Sequence, residues 1–141
     1  MGTVTRAATL HVATRAREEL IDVTGRVQGL VEASGVRDGL CHVYSPHTTC
    51  GVTVQEGWDP AVARDVVTVL ARLVPKEASY AHAEGNSDAH VKTMLVGTGA
   101  TLPVAEGRLR LGRWQAVFLC EFDGPRQREL WVTVMGDGAG G

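Results

Sequence analysis

Hydrophobic positions recur along this chain with two periods, near two and near three and a half, and the switches between them mark the elements. Val4 to Ala13 holds Leu10-His11-Val12 in loose alternation and predicts a strand. A charged turn, Thr14 to Glu18, leads to Leu20-Ile21-Asp22-Val23, a segment placed to pair back as a hairpin. Thr24 suits a helix N-cap, Val27, Leu30 and Val31 follow at helical spacing, and Gly35 suits the left-handed residue after the last turn. Gly39 to Tyr44 reads as a strand ended by Pro46, and Gly51 to Glu56 as another, with Val52 and Val54 facing inward. Asp59-Pro60 is a strong helix start, the stripe Val62, Val66, Leu70, Leu73 carries the helix on, and Pro75 ends it. Residues 76–86 read as loop, and Ser87 caps a short helix through Val96, with Asp88 near its positive end. Strands over Thr101–Val104, Arg108–Leu111, Trp114–Phe122 and Arg128–Met135 complete the chain, joined by turns at 105–107 and 123–126.

Seven or eight strands in hairpins with three helices predict an α+β domain or a decorated antiparallel sandwich, not βαβ alternation. Residues 1–141 read as a single domain without repeat or linker, and 136–141 as a frayed tail.

Composition narrows the function classes. Apolar residues make up 44%, and 14 Lys plus Arg stand against 16 Asp plus Glu, a net charge of −2 that excludes a general nucleic-acid or acidic-membrane surface. No apolar run approaches the ~18 residues of a spanning helix, and the start lacks a basic-then-apolar signal. Cys41, Cys50 and Cys120 are odd in number and widely spaced, neither a disulfide framework nor a zinc pair. The expected location is the cytoplasm. No glycine pattern of a nucleotide loop is present.

The chemistry concentrates in His82-Ala-Glu-Gly-Asn-Ser-Asp-Ala-His90 and in Ser45-Pro-His-Thr-Thr-Cys-Gly51. Such polar runs are poor core material, since each buried polar group needs its own partner. His47, His82 and His90 are candidate ligands of a divalent metal, because neutral imidazoles suit zinc and similar ions. The plainer alternative has His47 and His90 hydrogen-bonding backbone only. Glu56 and Asp88 are the candidate catalytic bases or orienters of the ligands, with Glu84 and Asp123 as further carboxylates. Thr48, Thr49, Asn86 and Ser87 are candidate substrate contacts. His11 and His42 fall in strand patterns and read as sheet-surface or core residues, and Cys50 reads as a buried thiol rather than a nucleophile. Trp58, Trp114 and Trp131 suit core or subunit-contact anchors. Arg126, after a Gly-Pro, is either a phosphate or carboxylate clamp or a solvated turn residue, and Arg128 lies near it at the tip of the last hairpin.

Four strings taken together, Pro46–Val52, Asn86–Lys92, Leu109–Gln115 and Cys120–Arg126, resemble the YjbQ family, also labelled secondary thiamine-phosphate synthase. The resemblance runs from about Leu10 to Val134, and Cys50 stands where the family leads one to expect alanine or another small residue. It implies a sandwich-like, jelly-roll-like α+β fold with two long helices and one short, assembled as a homotrimer. It implies a metal site on His47, His82 and His90, and a phosphorylated small-molecule substrate held by Arg126 with Lys92. The implied reaction joins an aminopyrimidine methyl diphosphate to a thiazole phosphate and releases pyrophosphate. Three imidazoles favour zinc or a similar ion, whereas a diphosphate prefers magnesium, so this activity is expected as a secondary one. The alternatives are a zinc-type hydrolase or lyase on a small metabolite, and a non-catalytic trimeric binding protein.

Overall fold

Inward-facing valines and leucines on two antiparallel sheets build one shared core. The computed structural model describes residues 2–138, so residues 139–141 of the expected tail lie outside the described part. Elements run β1 (Thr3–Ala13), β2 (Glu19–Asp22), α1 (Thr24–Ser34), β3 (Val36–Tyr44), β4 (Cys50–Glu56), α2 (Pro60–Leu73), α3 (Ser87–Val96), β5 (Gly99–Ala105), β6 (Arg108–Leu109), β7 (Gln115–Glu121) and β8 (Gln127–Gly138). The larger sheet has the order β1-β8-β3-β5-β6 and the smaller one β2-β7-β4, with every pairing antiparallel. Leu10, Val43, Leu102, Leu130 and Val132 of the larger sheet meet Val52, Val117 and Leu119 of the smaller, and Val27 and Val31 of α1 join them.

The smaller sheet is covered on both faces. Its outer side, Ala116, Phe118 and Cys120, packs with Ala89 and Val96 of α3 and Leu70 of α2. That explains the near-continuous apolar run of β7, since a strand buried on both faces loses its alternation. The larger sheet is covered on one face only, and its outer side presents Leu40, Tyr44, Trp131 and Met135, each 39–48% exposed.

Three sequence expectations are corrected. Leu20–Asp22 does not pair back on β1; β2 crosses to the smaller sheet and pairs with β7, while β1 pairs with β8. Thr24 is not the cap of α1, because its hydroxyl accepts the Val117 amide at 2.8 Å and Asp22 Oδ1 accepts the Thr24 amide at 2.9 Å. Gly136 to Gly138 are not frayed but continue β8, Gly136 paired with β1 and with Gly39 of β3. Gly39 is required there: an added Cβ would stand 2.0 Å from the Met135 carbonyl oxygen.

The start of α2 agrees with the sequence, with Asp59 Oδ1 accepting the Ala61 amide at 2.9 Å and Pro60 in the first turn. Asp59→Ala should therefore lower unfolding free energy by about 1 kcal/mol in urea melts, with the slope of the transition unchanged.

Candidate functional site

Four polar stretches meet at one end of the sheets: the turn 14–18, the string Ser45–Cys50, the start of α3, and the turn Glu121–Arg128. Backbone bonds tie them, from Gly124 N to Arg17 O at 3.0 Å and from Phe122 N to Thr49 O at 3.2 Å. Two buried ionic clusters do the rest.

Glu121 on β7 and Arg128 on β8 occupy inward positions that their neighbours fill with apolar side chains. Arg128 donates through Nε to Glu121 Oε1 at 2.8 Å, and through Nη2 to Glu121 Oε2 at 2.5 Å and Thr49 Oγ1 at 2.8 Å. Thr14 Oγ1 adds a bond to Glu121 Oε1 at 2.7 Å. Burial alone would raise the Glu121 pKa, but these bonds, Arg128 first, outweigh it and hold the carboxyl below its ordinary range.

The second cluster anchors α3. Asp88, fully buried, accepts Arg17 Nη2 on Oδ1 at 3.0 Å, and Arg17 Nη1 (3.1 Å) and Lys92 Nζ (2.8 Å) on Oδ2. Lys92 also reaches Glu18 Oε1. Burial pushes the Asp88 pKa up, yet the Arg17 and Lys92 hydrogen bonds win and lower it. The same contact with Asp88 raises Arg17 above its ordinary value.

These clusters reassign several candidates. Asp88 is not placed as a base, since both its oxygens are filled by cations. Lys92 is 1% exposed and committed to two carboxylates, so it is not placed to meet a phosphate. Asn86 is buried; its Nδ2 donates to Asp123 Oδ2 at 2.8 Å, and its sealed Oδ1 has no partner among the described residues. Asn86, not Ser87, is the N-cap residue of α3. Thr49 is buried under Arg128, whereas Thr48 is exposed. Arg126 is exposed and folds back on its own turn, with Nε on Asp123 O at 2.8 Å and Nη2 on Asp123 Oδ2 at 3.1 Å. Glu56 accepts the Asp59 amide at 3.2 Å at the far end of β4, roughly 20 Å along the strand from Cys50. Burial pushes the Cys50 thiol up to about 12, which leaves no thiolate for nucleophilic attack.

The histidines divide. His82 and His90 meet edge to face with centroids 5.5 Å apart, and with Ser87, Tyr80, Ala81 and Val91 they line an open hollow of about 450 Å³. Glu84 Oε2 stands 3.7 Å from His82 Nε2. His47 lies elsewhere on the chain, with Nε2 at 3.0 Å from the Glu129 amide nitrogen and 3.1 Å from its carbonyl oxygen. Nε2 can serve only one of these at a time. When it donates to the carbonyl, Nδ1 keeps its lone pair for a ligand. Burial and then the Arg128 charge hold the His47 pKa below its ordinary value, so the ring is neutral at pH 7, as a metal ligand must be. Among the described residues no three His, Cys, Asp or Glu side chains assemble into a ligand set within one chain. The expected convergence of all three histidines is therefore reduced, in a single chain, to the His82–His90 pair.

Two imidazoles on one tetrahedral ion at 2.0–2.1 Å would have centroids about 5 Å apart, so the 5.5 Å separation of this pair is one that two ligands could take. The three helices, the paired antiparallel sheets and this end cluster define a small α+β domain that carries its polar strings on loops. Sequence comparison places it: the chain belongs to the UPF0047 protein YjbQ-like family, whose sequence model matches residues 8–137. A UPF0047 protein of Methanocaldococcus jannaschii is 45% identical over 90% of this chain and 92% of its own. Two solved structures agree in fold. A YbjQ-like protein of unknown function from Sulfolobus solfataricus has a TM-score of 0.93 at 30% identity, covering 96% of this chain and all of that one. An uncharacterised family member from Clostridium acetobutylicum has a TM-score of 0.89 at 41% identity, over 90% and 98%.

Arg128 and Arg17 were the residues that sequence reading underrated. Arg128 was signalled by its register, in phase with Leu130, Val132 and Val134 on the inward side of β8. Arg17 lies in a charged turn and gave no such signal. Asp88→Asn should leave half-buried Arg17 facing a neutral amide and buried Lys92 with Glu18 alone, lowering stability at pH 7 by about 3 kcal/mol. The depressed Asp88 pKa sets the sign. The stabilisation is complete above the unfolded value of about 3.9 and is lost as pH falls through the lower folded one. Urea melts of the two proteins should therefore begin to converge below about pH 4 and meet only below the folded Asp88 pKa.

Proposed function

We propose that this chain is a cytoplasmic metal-binding enzyme that works as a homotrimer, with each site built from His82 and His90 of one copy and His47 of another. The observation that carries the reading is the His82–His90 pair, two imidazoles with centroids 5.5 Å apart at an open hollow, neither ring in a hydrogen bond among the described residues. His47, neutral and fixed by the Glu129 backbone, has the properties of a third ligand. Support for association comes from the bare face of the larger sheet. There Tyr44 lies opposite Trp131 and Leu40 opposite Met135 in register, an apolar surface of the kind that marks subunit contacts. The same face borders Glu129, and so His47. We further read the strand order, with helices covering the smaller sheet, as jelly-roll-like.

Bound there, a divalent ion would act as a Lewis acid on a phosphoryl oxygen or on water. Thr48 and Ser87, exposed or half-exposed beside the histidines, are the polar groups left to orient substrate. The family resemblance suggests thiamine-phosphate synthesis from the aminopyrimidine diphosphate and the thiazole phosphate. The imidazole donor set argues for zinc rather than magnesium, which keeps that reaction a secondary one.

One observation favours a second reading, a zinc-type hydrolase or lyase. With Asp88 locked and Glu56 at the far end of β4, Glu84 stands beside the histidine pair and would serve as the general base if a metal were held there.

Elemental analysis of tag-free protein incubated with zinc should give about one ion per chain. His47→Ala, His82→Ala and His90→Ala should each weaken zinc binding by at least about 100-fold, since residues that merely orient a ligand already account for 10–100-fold. Wild-type protein that takes up no zinc, manganese or nickel would overturn the reading in favour of a metal-free binding protein.

A further inference from the structure

Arg128 is a buried cation that the proposed metal chemistry leaves unused. Its side chain is 5% exposed, and Glu121 holds it through two nitrogens while Thr49 takes a second bond from Nη2. The remaining nitrogen, Nη1, has no hydrogen-bond partner among the described residues, and it is not among the sealed unpartnered atoms either. It therefore reaches solvent through the small opening that Arg128 keeps. Thr49 and Glu129, which flank this guanidinium, are the direct neighbours of the exposed Thr48 and the backbone anchor of His47.

We propose that Arg128 Nη1 binds an oxyanion, the phosphate or carboxylate group of the protein's ligand. A guanidinium is a planar fork of five donors suited to oxygen anions, and one whose rotamer is already fixed loses little entropy on binding. The competing cations at this end are engaged. Lys92 is sealed between Glu18 and Asp88, Arg17 is spent on Asp88, and Arg126 is closed on Asp123. Because Glu121 balances Arg128, the anion gains charge-assisted hydrogen bonds rather than the field of a net positive patch. The site deepens the proposed function by naming the ligand's anionic end, but it needs no metal.

The test uses the full chain freed of metal on a chelating resin, titrated separately with inorganic phosphate and with acetate while the backbone amide shifts of Thr48 and Glu129 are followed. Saturable shifts with at least one anion are expected, and the anion that produces them identifies the chemistry. Arg128→Lys, which keeps a charge against Glu121 but loses the fork, should weaken that binding by at least about 10-fold, and Arg126→Ala by less than about 3-fold. If the lysine variant does not melt cooperatively, Arg128→Met with Glu121→Met replaces the pair by apolar residues of similar volume and should abolish the shifts. Unchanged affinity in the Arg128 variants, loss in Arg126→Ala alone, or no saturable shift with either anion would overturn the proposal. Metal analysis of the same protein stands apart from this titration, so the two readings fail separately.

Discussion

The bidentate contact between Arg17 and the buried Asp88 is the interaction on which this end of the molecule depends. A carboxylate with no exposure must be paired on both oxygens or be protonated, and Asp88 is paired by cations from the turn after β1 and from its own helix. That contact fixes α3 against the turn 14–18, and α3 carries His90 and faces His82. Glu121 and Arg128 do the same service between β7 and β8, and through Thr14 and Thr49 they draw in two more stretches. The polar residues that make the site conspicuous are thus mostly consumed in holding it.

What remains after the locks are formed is short: the His82–His90 pair, His47 held by the Glu129 backbone, exposed Thr48 and half-exposed Ser87. The same division appears in the sheets. The smaller sheet is sealed on both faces, while the larger leaves Leu40, Tyr44, Trp131 and Met135 outside. An apolar sheet face left uncovered in this way is a feature suited to packing against another surface.

Much of the fold was legible in the sequence because periodicity reports burial. Asp59-Pro60 and Gly35 announced the ends of helices through local chemistry, and the closing strand over Arg128–Met135 lies within β8. The crossing of β2 to the second sheet was not legible, since Leu20 and Ile21 serve either partner equally well and only tertiary packing decides. The site was legible as a set of strings but not as a division of labour. Asp88 read as a base from its place beside the histidines and Lys92 as a phosphate contact from the family resemblance, and nothing in the sequence shows that Arg17, 71 positions away, fills the Asp88 oxygens. Burial depth decides between reagent and lock, and sequence carries it only where register is strict, as at Arg128.

The central claim is that the histidine site is completed by a second copy of the chain. It is tested most directly by mixing two variants, His47→Ala and His90→Ala, after mild dissociation and reassembly, and measuring zinc bound per chain. Each variant alone should bind little. In the mixed trimers, sites that draw His90 from one parent and His47 from the other are intact, and random assortment predicts recovery of about a quarter of the wild-type zinc. No recovery above either variant alone, with mixed oligomers shown to have formed, would contradict a site shared between copies.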